Sequence, residues 1–266
     1  MEFEKITRID FPEIKTLQPE DWGDIIPDME FYLHYPFCNP VKATLNGRIV
    51  GIGTSIIFEG TAWLAHIIVG SSFRNKGIGG EVVHHLLESL REKSIETCLL
   101  IATELGKPVY VKAGFNIVCE YLFFEREKPW LDYPVSENIE LFKEEYRSNI
   151  YELDKKMTGE NRIPLLSDYL KNAVIYIENN SVLGYYIPDM KEGLIVADTE
   201  KAGLELMKLK YATVDKAVLP TGNIAGCQFL LQHGFIQTKI GTRMVYGKNT
   251  DWKPTMMYSR IGGNLG

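Results

Sequence analysis

Alternating apolar and polar positions in the first half of the chain predict consecutive β-strands joined by tight turns. Residues 41–45 alternate, Asn46-Gly47 is a strong two-residue hairpin signal, and residues 48–57 return along the same pattern. A second turn at Glu59-Gly60 leads into a third strand, 61–69. We therefore expect three neighbouring strands before the first long helix.

The period of the pattern changes after residue 76. Apolar residues at helical spacing predict a helix over about 77–90. A buried strand, 98–102, follows, and a second helical stretch is expected to run to Lys112. It stops before Gly114, because glycine readily adopts the left-handed conformation that ends a helix.

The second half repeats this order of elements. Residues 179–184 match residues 46–51, again a turn between alternating strands. Five later residues keep one mutual register with five in the first half: Asn223, Gly226, Leu230, Gly234 and Phe235 with Thr103, Gly106, Tyr110, Gly114 and Phe115. In 266 residues this favours two copies of one α+β module over two unrelated α+β domains. The predicted domains are residues 1–128 and 136–266, with a charged, proline-containing connector at 126–134.

Composition and charge narrow the functional classes. The chain is 45% hydrophobic and 24% charged, which is typical of a soluble globular protein, and it has no apolar run long enough for a membrane helix. A formal charge of −6 argues against nucleic-acid binding. The start lacks a secretion signal, and the four cysteines have neither disulfide-framework nor metal-ligand spacing. We expect a cytoplasmic monomer or homodimer without metal, membrane or nucleic-acid partner.

A glycine-rich loop between the third strand and the helix is the clearest chemical signal. It reads Arg74-Asn75-Lys76-Gly77-Ile78-Gly79-Gly80. Glycines let backbone N–H groups approach a ligand, and a helix N-terminus favours anions. The loop lacks the Gly-Lys-Ser/Thr of a phosphate-binding Walker A element, and Val82 breaks the dinucleotide fingerprint. The alternative is a tight turn with a solvated basic pair.

A second motif, Val109-Tyr110-Val111-Lys112-Ala113-Gly114-Phe115, lies about one strand and one helix downstream. The pairing of Arg-x-x-Gly-x-Gly with Tyr-x-x-x-Gly-Phe resembles the GNAT superfamily of N-acetyltransferases, over about residues 1–125. The resemblance implies a mixed, mostly antiparallel sheet flanked by helices in each module, and acetyl-CoA as cosubstrate. It further implies that the loop 74–80 holds the pyrophosphate and that the main chain of Ile67 and Val69 binds the thioester carbonyl and the pantetheine.

The chemistry of acyl transfer assigns two of these residues a task. Negative charge develops on the thioester oxygen, and the Ile67 N–H is a candidate donor for it. The departing sulfur needs a proton, which Tyr110 is placed to supply. The alternative for Tyr110 is an amphipathic core residue.

The proton acceptor for the incoming amine is not evident. Related enzymes often carry a titratable group at two strand positions that here hold Trp63 and Ala65. Strand alternation is expected to point His66 to the opposite face, which argues against it as the proton acceptor. Glu104, just past the next strand, and a water chain are the other candidates for that role. Thr103 stands where relatives often have asparagine.

Residues 21–35 interleave acidic and aromatic side chains, and in this fold that segment usually selects the acceptor. Asp24, Asp28 and Tyr32 are candidates for holding a cation. The alternative is an amphipathic helix pair that packs on the sheet.

The second copy lacks the features of the first. Asp198 and Glu200 flank Thr199 where a pyrophosphate would sit, and Leu230 replaces the tyrosine. The segments 153–162, 223–235 and 257–263 resemble the acetyltransferase-like C-terminal domain of some tandem GNAT proteins. Asp154 and Arg162 are expected to form an internal ion pair or to be functional.

The leading hypothesis is an acetyl-CoA-dependent N-acetyltransferase that acts on a small-molecule or peptide amine by direct attack in a ternary complex. Its first module is expected to be catalytic and its second a degenerate scaffold. A non-catalytic acyl-CoA sensor and a purely structural tandem protein are the alternatives.

Overall fold

The computed structural model describes residues 1–20, 22–127 and 134–266. Asp21 of the predicted acceptor segment and residues 128–133 of the predicted connector lie outside the described residues. The strands are β1 Glu2–Lys5, β2 Cys38–Leu45, β3 Arg48–Ile57, β4 Thr61–Val69, β5 Thr97–Ala102, β6 Asn116–Glu125, β7 Ile139–Leu141, β8 Val174–Glu178, β9 Ser181–Ile187, β10 Leu194–Ala197, β11 Lys216–Pro220, β12 Ile236–Gly247 and β13 Met257–Ser259. The helices are α1 Phe11–Leu17, α2 Ile26–His34, α3 Ile78–Glu92, α4 Lys107–Lys112, α5 Arg147–Thr158, α6 Ile163–Leu166, α7 Glu200–Thr213 and α8 Ile224–Gln232.

The chain forms two compact units. The first contains Met1–Asn116 and Met244–Asn249, and the second contains Ile117–Arg243 and Thr250–Asn264. The predicted α+β class is confirmed, since each unit combines helices with mostly antiparallel strands. The domains predicted from the sequence, residues 1–128 and 136–266, stay a prediction. No helix of the described ranges is both long and apolar enough to cross a membrane.

In the first unit the strand order is β1-β2-β3-β4-β5, followed by the end of β12. β2 and β3 form the predicted hairpin, and Asn46 and Gly47 both have positive φ, as a tight type I′ turn requires. β4 pairs antiparallel with β3 and parallel with β5.

The far end of β12 completes the core of the first unit. Met244 is fully buried there, and the Tyr246 ring lies 5.6 Å from the Phe115 ring. Gly247 has a φ of 81°, and a Cβ on it would lie 1.9 Å from the Glu96 carbonyl oxygen, so only glycine fits this crossing. A residue pattern read along the chain does not reveal such a distant partner.

Helix α3 packs closely on this sheet through one side. Val82, Leu86 and Leu90 are almost completely buried. A Cβ placed on Gly53 of β3 would lie 2.7 Å from Val82 Cγ1 and 2.9 Å from Leu86 Cδ1. The missing side chain at Gly53 therefore sets how close helix and sheet come, and with it the position of the N-terminus of α3.

The second unit contains the element order β8-β9-β10-α7-β11-α8-β12, which parallels β2-β3-β4-α3-β5-α4-β6. Its β8–β9 turn is made by Asn179 and Asn180, both with positive φ, as expected from the sequence. One sheet has the order β13-β10-β9-β8-β7, while β6 lies between β12 and β11. The order of elements along the chain parallels that of the first unit, whereas β10 pairs with β13 and not with β11.

Substituting Gly53 tests the close approach of α3. Gly53→Ala forces the Val82 and Leu86 side chains aside, so we expect the free energy of unfolding to fall by about 1–3 kcal/mol. Gly23→Ala is the matched control, because a Cβ there meets nothing within 4 Å, and it should change stability by less than about 0.5 kcal/mol. Urea denaturation measures both; equal stabilities would contradict the tight packing.

Candidate active site

The glycine-rich loop and the start of α3 form one continuous turn. After β4 the chain passes through a 3₁₀ turn, Ser71–Phe73, and enters α3 at Ile78. Asn75 and Gly77 both have positive φ, which bends the backbone sharply just before the helix. Gly77 occupies the N-cap position, and no side chain caps this helix. The first N–H groups of α3 therefore have no acceptor within the helix, the arrangement that favours anions.

The surface over this helix terminus is open. A Cβ on Gly77 or Gly80 would meet nothing within 4 Å, so a ligand can approach the backbone there. A Cβ on Gly79 would lie 3.6 Å from Val69 Cγ2, which shows that the first turn of α3 lies against the end of β4.

Two basic side chains flank the terminus. Arg74 Nε donates to the Val69 carbonyl oxygen at 3.2 Å, and Lys76 Nζ donates to the Ser72 carbonyl oxygen at the same distance. Both bonds bind the cations to the loop's own backbone, which keeps positive charge beside the start of α3. The sequence-predicted group 74–80 is thus brought together in one turn, and its ligand stays a prediction.

β4 and β5 separate along their length. Their parallel pairing covers Thr61, Ala62 and Trp63 within the described residues. Beyond that point the Gly70 N–H donates to the Val50 carbonyl oxygen of β3 at 3.0 Å. Since main-chain groups alternate in direction along a strand, those of Ile67 and Val69 point away from β3, toward the side where β5 has diverged. Both predicted main-chain positions therefore lie on the open side of β4.

A β-bulge interrupts β4 at His66. Thr54 pairs with Ala65 and Ile52 pairs with Ile68, so two residues of β4 oppose one of β3. His66 adopts a φ of 46°, a left-handed conformation that histidine tolerates better than most side chains.

The bulge also exchanges the faces of the strand. Ala62 and Leu64 belong to the core under α3 before the bulge, whereas Ile67 and Val69 pack there after it. His66 lies instead against α2, on the face that Trp63 and Ala65 share by alternation. The expectation that His66 points to the opposite face is wrong, because a bulge moves every later side chain by one position.

His66 is held by two side chains of α2. Its Nδ1 shares a hydrogen bond of 2.7 Å with the Tyr32 hydroxyl, and its Nε2 lies 3.5 Å from Asp28 Oδ2. Tyr32 is 1% exposed, and the Trp22 ring meets the imidazole edge-on at 6.0 Å. Of the predicted acceptor candidates, Asp28 and Tyr32 reach His66, while Asp24 accepts from the Ile26 N–H and pairs with Lys15.

Tyr110 lies on α4 in a packed environment. Its ring is 5.9 Å from the Phe115 ring, and a Cβ on Gly106 would lie 3.0 Å from its Cε2 atom. Burial raises the pKa of Tyr110 to about 12, so the hydroxyl is protonated at neutral pH and can act as an acid. Thr103 accepts from the Gly106 N–H through its hydroxyl, and Glu104 is exposed.

The corresponding part of the second unit is closed by the chain itself. β13 pairs antiparallel with β10 and packs against β11. Asn223 donates from Nδ2 to the Met257 carbonyl oxygen at 2.9 Å. A Cβ on Gly203 would lie 2.2 Å from the Tyr258 ring, so this ring covers the first turns of α7.

The helix terminus of the second unit is also capped. The Thr199 hydroxyl accepts from the Ala202 N–H, and Asp198 pairs with Lys156 at 2.6 Å. Leu230, in the register position of Tyr110, is completely buried in the core. In the first unit, by contrast, no side chain caps α3, and Tyr110 occupies the position that corresponds to Leu230.

Asp154 and Arg162 form an ion pair inside the second unit. Both side chains are 1% exposed, and Arg162 Nε donates to Asp154 Oδ2 at 3.0 Å. The Tyr185 hydroxyl also donates to Asp154, which satisfies the carboxylate from a second side. The ion pair expected from the sequence is confirmed.

Comparison with known proteins finds a family that matches the first half of the chain and solved structures with a similar fold. Residues 4–115 match the Acetyltransferase (GNAT) family. A putative acetyltransferase from Pyrococcus horikoshii is 20% identical with a TM-score of 0.83, covering 99% of this chain and 95% of its own. A GCN5-related N-acetyltransferase from Sphaerobacter thermophilus is 13% identical with a TM-score of 0.65, covering 96% and 98%. No curated protein matches the sequence.

These structural likenesses show that the fold extends over both units, since each covers nearly the whole of both chains. The family match supplies the activity class, and it spans the loop before α3, the bulged β4 and Tyr110. The chain therefore carries an acetyltransferase domain of the GNAT family and is an acyltransferase.

Proposed function

We propose that the protein is an acetyl-CoA-dependent N-acetyltransferase in which a primary amine attacks the thioester directly in a ternary complex. The observation that carries this proposal is the junction of β4 and α3. There an uncapped helix terminus lies against the end of a strand that β5 no longer pairs with, where the Val69 carbonyl oxygen accepts from Arg74 Nε. A long ligand matches that arrangement when its diphosphate lies at the start of α3 and its amide groups lie along the edge of β4.

The loop fits a diphosphate in charge and in shape. The N–H groups that open α3 would donate to the phosphate oxygens, and Arg74 and Lys76 add positive charge beside them. A Cβ on Gly77 or Gly80 would meet nothing within 4 Å, which leaves space for the ligand at these two positions. Bound in this way, acetyl-CoA would supply the activated acyl carbon.

Two residues of the first unit would act on the reaction. The Ile67 N–H would donate to the thioester oxygen as negative charge develops on it, because a fixed backbone donor needs no reorganisation. Tyr110 would give its proton to the departing sulfur, and its raised pKa keeps that proton in place until the thiolate forms.

We propose in addition that the second unit binds no coenzyme A. Its helix terminus carries a side-chain cap and a carboxylate, and β13 fills the edge of β10 that corresponds to the open edge of β4. The unit then serves as a scaffold. The acceptor amine, small molecule or peptide, stays open, and the free cysteines fit a reducing compartment such as the cytoplasm.

Tyr110→Phe removes the proposed acid and little else. We expect turnover of acetyl-CoA with an amine acceptor to fall by about 10²-fold or more, since a missing general acid costs that much. The affinity for coenzyme A should stay within about twofold, because the ring and its packing remain. Thiol release and calorimetry measure the two quantities.

Tyr169→Phe in the second unit is the control for that experiment and should leave turnover unchanged. Unchanged turnover in Tyr110→Phe would remove Tyr110 from the mechanism. Binding of acetyl-CoA without turnover on any amine by the natural chain would favour the non-catalytic sensor instead.

Gly80→Asp tests the anion site without disturbing the helix. The open space accepts the side chain, and an acidic residue in the first turn stabilises a helix, so we expect an unchanged or higher Tm. The carboxylate repels the phosphates, so coenzyme A should bind at least about tenfold more weakly than to the natural chain. Gly80→Ala is the uncharged control and should lose much less.

Calorimetry of the natural chain adds a second readout. We expect one coenzyme A per chain, because the second unit is closed. Two equal sites, or full affinity in Gly80→Asp, would contradict the assignment of the binding site to α3.

A further inference from the structure

Tyr246 lies on the end of β12 that belongs to the first unit, beside the C-terminal end of α4. Its ring is 5.6 Å from the Phe115 ring, and a Cβ on Gly114 would lie 3.4 Å from its Cε2 atom. A residue that is far from α4 in sequence therefore packs directly against the end of the helix that carries Tyr110.

The C-terminal cap of α4 links Tyr110 to Phe115. Gly114 has a φ of 94°, and the Phe115 N–H donates to the Tyr110 carbonyl oxygen at 3.0 Å. This is a Schellman motif, in which the residue after the left-handed glycine bonds back to the last turn of the helix and its side chain contacts that turn. The contact is present here, since the Phe115 and Tyr110 rings are 5.9 Å apart. The orientation of Tyr110 therefore depends on where Phe115 lies.

α4 depends on its surroundings for stability. It has six residues, and isolated helices shorter than about 12–15 residues are marginal in water. Packing against the rest of the first unit therefore has to hold it in place. Phe115 is 3% exposed in the core of this unit, and Tyr246 packs against the same core. The Tyr246 ring thus supplies part of the packing that fixes the end of α4.

Tyr246 is itself held from several sides. Its hydroxyl accepts from Arg91 Nη2 of α3, and the centre of the Arg91 guanidinium lies 5.7 Å from its ring. Met244 before it is fully buried, and the Thr97 hydroxyl of β5 donates to the Lys248 carbonyl oxygen after it at 2.9 Å. The strand is anchored on both sides of Tyr246, so the ring offers a fixed surface to the end of α4.

We propose that Tyr246 is a positioning residue for Tyr110: by packing on Phe115 it fixes the end of α4, and with it the hydroxyl that protonates the departing sulfur. This inference rests on the proposed function, which makes Tyr110 the acid. The Tyr110 O–H bond breaks and an S–H bond forms, and Tyr246 exchanges no proton. The family match ends at residue 115, so the role falls to a residue beyond the matched part.

Tyr246→Leu removes the ring and tests this role. The probes are acetyl-CoA with spermidine, a lysine peptide or phenethylamine as acceptor. We expect thiol release in a single turnover to slow by about tenfold or more, because a misplacement of about 1 Å in a catalytic group can cost about 10²-fold in rate. KM for acetyl-CoA and the affinity for coenzyme A should stay within about twofold. A natural rate in this variant would overturn the proposal.

A double-mutant cycle separates positioning from a general loss of stability. If Tyr246 acts through Tyr110, Tyr246→Leu should cost less than about twofold in the Tyr110→Phe background, where the acid is already missing. An equal loss in both backgrounds would overturn the positioning role. Tyr246→Phe keeps the ring and loses only the bond from Arg91, so it should retain the natural rate within about threefold.

Tyr151→Leu in the second unit is the matched control. The Tyr151 hydroxyl likewise accepts from an arginine, Arg147 Nη1, at 2.9 Å. Removing this ring should leave the single-turnover rate within about twofold of that of the natural chain. A loss as large as in Tyr246→Leu would show that the rate reports general stability, which would contradict the proposal.

Hydrogen exchange gives a readout that needs no acceptor. The Phe115 amide should exchange about tenfold faster or more in Tyr246→Leu, while the amides of α3 keep their protection. Unchanged protection of the Phe115 amide would overturn the inference even if acetyl transfer is confirmed. Failure of the natural chain to release thiol with any of the three amines would instead contradict the proposed function, and with it the role of Tyr110.

Discussion

The β-bulge at His66 decides which side chains of β4 pack under α3 in the first unit. One extra residue in the strand exchanges its two faces, so Ile67 and Val69 enter the core under α3 while the imidazole turns to α2. The same bend accompanies the separation from β5 that exposes the main chain of the strand. A backbone irregularity of this kind costs pairing energy, and such bulges are common beside functional sites.

The two units show how one order of elements can lead to different sites. α3 begins with an uncapped glycine turn beside an open strand edge, whereas α7 begins with a threonine cap beside an edge that β13 occupies. Asn223 Nδ2 donates to the Met257 carbonyl oxygen of that added strand. The tail thus satisfies main-chain groups of β10, and the Tyr258 ring covers the first turns of α7.

Local patterns predicted most of the fold correctly. The Asn46-Gly47 hairpin, the helix after residue 77 and the glycine loop depend on neighbours in sequence, and the structure has all three. The face of His66 could not be predicted, because period-two alternation assumes an unbroken strand. The positions of 244–249 and of β13 were missed as well, since both depend on partners far away in the chain.

We propose that the main chain at the end of β4 and at the start of α3 binds the acyl donor, and a crystal structure with acetyl-CoA would test this. We expect the diphosphate oxygens to lie about 2.9 Å from the nitrogens of the N–H groups that open α3, with the thioester oxygen accepting from the Ile67 N–H. A coenzyme bound at α7, or one whose thioester lies away from β4, would contradict it.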